Sequence, residues 1–102
     1  MELKPGARLR SAADETEIIV VKAPGGDVDL RCGGHPVVAH GDARPDGLSP
    51  DADHAGGTQI GKRYTDPAAT LEVLCTKAGG GALSIGSEPL VLKDAKPLPS
   101  SD

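Results

Sequence analysis

An internal repeat constrains this chain more than any other feature of its sequence. At an offset of 55 residues, Gly6 falls on Gly61, Arg8 on Arg63, Glu17 on Glu72, Lys22 on Lys77 and Ala23 on Ala78. Gly25 and Gly26 fall on Gly80 and Gly81. Two residues then drop out. At an offset of 53, Leu30 falls on Leu83, Gly33 on Gly86, Pro36 on Pro89 and Val38 on Val91. Apolar positions follow the same alignment: Leu9 with Tyr64, Ile18 with Val73, Val37 with Leu90. Each half therefore reads Gly-x-Arg, a strand, Lys-Ala with glycines, a strand, Gly-x-x-Pro, a strand. A β-unit of about 35 residues has too little core to stand alone. Two of them packed about a pseudo-two-fold axis share one core, and that is the architecture expected here.

Local patterning gives the same class. Residues 17–23 form a β-branched run, the clearest strand in the chain, and Pro24-Gly25-Gly26-Asp27 reads as a turn. Residues 28–32 alternate and are expected to close a hairpin on that strand. Gly33-Gly34-His35-Pro36 and Gly86-Ser87-Glu88-Pro89 read as tight loops, followed by extended Val37-Val38 and Leu90-Val91-Leu92. Tyr64 opens a short strand, residues 70–77 form a third clear one, Gly79-Gly80-Gly81 turns it, and residues 82–85 return. No window carries an apolar period of 3.6, so the class is all-β. The domain plan is a first β-repeat at 1–38, opened by a polar segment at 1–10. A Gly/Pro/Asp-rich linker or loop follows at 39–59, then a second repeat at 60–92 and an irregular tail at 93–102. The linker holds few large apolar side chains to offset the entropy of ordering it.

Composition removes several function classes. The formal net charge is −4, and Tyr64 is the single aromatic residue, so neither a phosphate-backbone binder nor a base-stacking surface is expected. No stretch approaches the roughly 18 apolar residues of a membrane span. Met1-Glu2-Leu3-Lys4-Pro5-Gly6 has no apolar signal region, so the expected compartment is the cytoplasm. In that reducing setting Cys32 and Cys75 are read as free thiols, a Cys32–Cys75 bridge being the minor alternative.

The repeat resembles the small desulforedoxin unit, a rubredoxin-like fold that is also the N-terminal domain of desulfoferrodoxin. The resemblance rests on Leu30-Arg31-Cys32-Gly33-Gly34-His35-Pro36-Val37 in the first half. In the second half it rests on Gly61-Lys62-Arg63-Tyr64 and Leu83-Ser84-Ile85-Gly86-Ser87-Glu88-Pro89-Leu90. The family closes its unit with Leu-x-Cys-Cys-Gly-x-Pro-Met, so Cys32 matches the first cysteine of the pair and Gly33 replaces the second. Upstream, Ser11 and Asp14 occupy the Cys-x-x-Cys spacing, and the second half has no site cysteine. The resemblance implies a covalently joined pseudo-dimer. It does not carry over the iron, which the family holds with four thiolates per unit.

Candidate chemistry is sparse. Cys32 and His35 have the Cys-x2-His spacing of one edge of a zinc site, with Ser11, Asp14, His40 or His54 as possible further donors. The competing reading is a loop cysteine beside an exposed histidine, and no bound metal is expected. Cys75 shares a strand face with Leu71 and Val73, the setting of a small apolar filler and not of a nucleophile. Asp51, Asp53 and His54 read as a solvated acidic loop, and Asp14-Glu15-Thr16-Glu17 as a solvated turn. No catalytic set is legible, and the turn glycines lack a phosphate-binding pattern. The expected function is a non-catalytic protein-interaction module, a small accessory subunit of a larger enzyme or a self-associating chain. The alternative is a small zinc- or iron-binding redox protein that uses Cys32 and His35 across a dimer.

Overall fold

The computed structural model describes residues 2–43 and 47–93. The chain is all-β, with two antiparallel sheets. The strands are β1 (Arg8–Arg10), β2 (Glu17–Lys22), β3 (Leu30–Cys32), β4 (His35–Pro36), β5 (Val38–Ala39), β6 (Arg63–Thr65), β7 (Glu72–Lys77), β8 (Leu83–Ile85), β9 (Glu88–Pro89) and β10 (Val91–Leu92). The one helical element among the described residues is a 3-10 turn at Ala52–His54, and no helix there is long and apolar enough to cross a membrane.

The larger sheet runs β10-β6-β7-β2-β1-β5 and the smaller β4-β3-β8-β9. The halves meet at the centre of both. In the larger sheet Glu17 pairs with Lys77, Ile18 with Cys75, Ile19 with Leu74, Val20 with Val73 and Lys22 with Glu72. In the smaller sheet Leu30 pairs with Ile85, Arg31 with Ser84 and Cys32 with Leu83. Exchanging matching residues of the two halves leaves both registers unchanged. Glu17–Lys77 becomes Lys22–Glu72, Ile18–Cys75 becomes Val20–Val73, and Ile19–Leu74 and Arg31–Ser84 map onto themselves. The outer ladders agree too, Leu9 opposite Ile18 answering Tyr64 opposite Val73.

Two expectations are corrected. Residues 28–32 do not close a hairpin on residues 17–23, and residues 82–85 do not return beside residues 70–77. The partner of β2 on that side is β7, so after Lys22 the chain leaves for the other sheet and pairs there with β8. Seven residues separate β2 from β3, Pro24 among them without an N–H to donate, and that length carries the chain across where a two-residue turn would force a hairpin. The polar entry segment contributes to the fold. It contains β1, buries Leu3 and Leu9, and bridges Glu2 to Asp27. The turns themselves are tighter than expected. Gly33-Gly34 alone connects β3 to β4 with φ of 67° and 85°, values that favour glycine at both positions of a two-residue hairpin turn.

Strand alternation sends one face of each sheet inward. Leu9, Ile18, Val20, Val73 and Cys75 of the larger sheet meet Leu30, Cys32 and Leu83 of the smaller, with Val28, Val37, Tyr64, Leu71 and Leu90 filling between. All three apolar pairs of the repeat alignment are in this core. Burying each such side chain is worth roughly 1.5–3 kcal/mol. Residues 47–59 run along the β3–β4 turn and the glycine segment. Asp51 N donates to Gly33 O, Ala82 N to His54 O and Thr58 Oγ1 to Gly81 O. The segment is held by hydrogen bonds and one buried threonine, not by an apolar core of its own. The irregular tail expected at 93–102 lies outside the described residues apart from Lys93.

Candidate functional site

The motif residues of the first half converge at one pole of the core. Ser11 Oγ accepts from Ala13 N and Asp14 N, each at 3.1 Å, so Ser11 and Asp14 shape one tight turn. Asp14 Oδ1 accepts from Thr16 N at 2.7 Å. Its second oxygen, Oδ2, faces Cys32 Sγ at 3.9 Å. The hydroxyls of Thr16, Ser11 and Thr58 surround the thiol. Cys32 is fully buried, and Ser11, Thr16 and Thr58 are nearly so. Thr58 comes from the end of the linking segment and fastens to Gly81 O at 2.6 Å. Thr16 Oγ1 lies beside the thiol without a hydrogen bond of ordinary geometry among the described residues. The glycine segment closes the site. A Cβ at Gly79 would overlap Thr16, and one at Gly81 would overlap Asp14.

Burial raises the Cys32 pKa, the Asp14 charge raises it further, and the three hydroxyls pull it back, leaving it at about 11. The thiol therefore holds its proton at neutral pH, and its nucleophilic thiolate form is disfavoured. The family that the repeat resembles holds iron with four thiolates at this place. The positions hold Ser11, Asp14, Cys32 and Gly33, and a single protonated thiol beside one carboxylate does not fit a tetrathiolate iron centre. Among the described residues no three His, Cys, Asp or Glu side chains are grouped to hold a metal ion.

His35 lies opposite Cys32 in the β3–β4 ladder, and its side chain takes other partners. Its Nε2 donates to Ser49 O at 3.1 Å and lies 3.4 Å from Asp51 Oδ1. An ion shared between Cys32 and His35 of two chains would require this buried pole to open. Asp51 and His54 line a shallow recess of about 310 Å³ with Asp29, Arg31, Gly34, Gly86 and Ser87, while Asp53 is exposed. Arg31 Nε pairs with Asp29 at 3.0 Å, so the cation of that recess is already partnered. Of the acidic cluster, Glu15 pairs with Lys77 at 3.2 Å and Glu17 with His40 at 3.1 Å, and Thr16 is buried. His40 is exposed and lies on the larger sheet's outer face, away from the thiol. Cys75 is buried with Leu71 and Val73, its Sγ donating to Lys77 O at 3.2 Å, and burial raises its pKa.

The equivalent pole of the second half is built differently. Asp66 stands where Ser11 does, and its carboxylate accepts from Thr70 N, Thr70 Oγ1 and Leu71 N at 2.6–2.9 Å. Burial pulls this carboxyl up, but those hydrogen bonds outweigh it and hold the pKa below the usual 3.8. Ala69, Leu71, Ile85 and Leu3 replace Asp14, Thr16, Cys32 and Thr58. One pole is thus a nest of hydroxyls, carboxylate and thiol, and the other is apolar above a closed aspartate turn. Thr16 and Thr58 were not singled out from the sequence. The signal was present in the repeat, since both are polar where the matching residue of the other half is leucine.

No family model matches this chain, and neither a curated protein nor a solved structure matches it.

Proposed function

We propose that this chain is a non-catalytic protein-interaction module, an accessory subunit of a larger enzyme, on a duplicated desulforedoxin-like scaffold without its metal. One observation carries the reading. The pole where that scaffold would hold four thiolates retains one, buried and protonated beside Asp14, and surrounds it with hydroxyls. Such a pole holds structure together and offers no reactive group to solvent. The registers that survive exchange of the halves support the pseudo-two-fold pairing of two such units. The recess beside Asp51 supports a surface function, since it is open and polar and its Arg31 already pairs with Asp29.

The test is recovery of the tagged chain from its native host under chelator-free conditions, for wild type and Cys32→Ser. A stoichiometric protein partner that stays bound to both, with no zinc or iron in either, supports the proposal. Zinc or iron that is present in the wild type and lost in Cys32→Ser overturns it.

A further inference from the structure

The larger sheet has a second face, and its composition is unlike the rest of the molecule. Residues directly opposite in an antiparallel ladder share a face. Arg8 lies opposite Ile19, Ile19 opposite Leu74, and Leu74 opposite Arg63, so these four side chains form one row across the outer face. Arg10 lies opposite Glu17 and Val38 on the same face, and Thr65 opposite Glu72 and Val91. The centre is apolar, with Ile19 and Leu74 both partly buried. A recess of about 320 Å³ opens beside Ile19, lined by Arg8, Glu17, His40 and Thr76.

Charge flanks this centre on both sides. Glu72 lies between Lys93 Nζ at 2.8 Å and Arg63 at 3.3 Å, and Glu17 meets His40 at 3.1 Å. Four cations, Arg8, Arg10, Arg63 and Lys93, thus share the face with two carboxylates, in a chain whose formal net charge is −4. The surplus of positive charge on this face is therefore local. Arg10 is partly held in place, its Nη2 donating to Asp42 O while its buried Nε has no hydrogen-bond partner among the described residues.

From this we infer that the outer face of the larger sheet docks an acidic protein segment, apolar at its centre and carrying carboxylates on both flanks. The inference rests on the interaction-module reading and names its surface and partner chemistry. A nucleic acid fits less well, because Glu17 and Glu72 interrupt the cations and the one aromatic ring, Tyr64, is in the core. A second copy in the same orientation would set cations against cations. From β1 to β6 is three strand spacings, about 14 Å, a width that one short segment spans.

The probe is the capped heptapeptide Glu-Glu-Leu-Val-Leu-Glu-Glu, titrated against the full chain and followed by methyl NMR. The references are its Lys-Lys-Leu-Val-Leu-Lys-Lys counterpart and octathymidylate. The expected result is saturable shifts at Ile19 and Leu74 with the acidic peptide alone. Affinity should fall at least tenfold in Arg8→Glu/Arg63→Glu and fall again in 0.5 M salt. Unchanged methyl signals of Leu71 and Val73 certify the fold of the variant. If the reversal unfolds the chain, Arg8→Gln/Arg63→Gln is read in its place, with a smaller loss expected. No shift at Ile19 and Leu74, equal shifts with the lysine peptide, or binding of octathymidylate would each overturn the inference. Truncation after Lys93 must leave the shifts in place; a gain of binding on truncation would show that the chain's own tail covers the face, and would also overturn it. A photo-crosslinking side chain at Ile19, and separately at Ser87 on the smaller sheet, separates this failure from that of the module reading. Cross-linking in the native host at Ser87 alone removes the face and keeps the module. Cross-linking at neither position removes both.

Discussion

Two adjacent glycines, Gly80 and Gly81, should respond oppositely to one methyl group. Gly81 packs where the second half closes over the thiol pole. A Cβ there would overlap Asp14 Oδ2 and come within 2.8 Å of Gly33 N and 3.0 Å of Gly33 Cα. The Asp14 side chain cannot simply swing away, because its other oxygen holds Thr16 N at 2.7 Å. Nor can Gly33 shift freely, because its N–H donates to Ala82 O at 2.9 Å and its carbonyl accepts from Asp51 N at 2.8 Å. Gly81→Ala therefore overpacks a buried junction and is expected to cost about 1–3 kcal/mol, or more if Asp14 loses its hydrogen bond from Thr16 N. For a chain of this size each kcal/mol lowers Tm by about 4–8 °C. At Gly80 a Cβ meets nothing within 4 Å and φ is not positive, so Gly80→Ala should be neutral or slightly stabilising. Paired thermal melts decide the matter. Equal Tm values for the two variants would refute the close approach of the halves at this pole.

Other outcomes follow from the same contacts. The Cys32 thiol holds its proton more tightly in the folded chain, with a pKa raised from 9.0 to about 11, so its contribution is full below pH 9 and is lost between about pH 9 and 11. Urea unfolding of wild type should show a decline of about 2–3 kcal/mol over that window, absent from Cys32→Ala; parallel curves would show that the thiol is not desolvated. Thr58→Val strands the Gly81 carbonyl and should cost about 1–3 kcal/mol, whereas Thr16→Val removes a hydroxyl without an ordinary partner and should be neutral or stabilising. The Lys93 ammonium bonded to Glu72, with Arg63 beside it, lowers the Glu72 pKa below its ordinary 4.5. Glu72→Gln should accordingly be less stable than wild type at pH 7, with the gap closing as pH falls below 4.5 through the lowered folded value; a gap that persists at pH 2 would contradict this.

The strands and their core faces were legible because they obey a period of two. Leu71, Val73 and Cys75 are all buried, as their spacing requires. The repeat carried further than any single pattern, since it placed Leu9 with Tyr64 and Val37 with Leu90, and all four are in the core. The pairing of β2 with β7, in place of β3, was not legible. Two strands joined by glycines look like a hairpin until a competing partner of equal length is considered, and that partner is 55 residues away. The thiol pole was half legible. Cys32, Ser11 and Asp14 come from the motif, but Thr16 and Thr58 reach it only through the fold. Their mark in the sequence is a polar residue where the other half has Leu71 and Leu3, a difference visible once the halves are compared for mismatches and not for matches. His35, suggestively spaced from Cys32 in the sequence, takes Ser49 and Asp51 as its side-chain partners.

The most direct test of the account is native mass spectrometry of the complex recovered from the native host in reducing, chelator-free buffer. The account predicts a 10.3 kDa chain carrying no metal, bound to a larger protein in fixed ratio. A chain that instead carries zinc or iron, retained on dissociation from any partner and lost in Cys32→Ser, would contradict it.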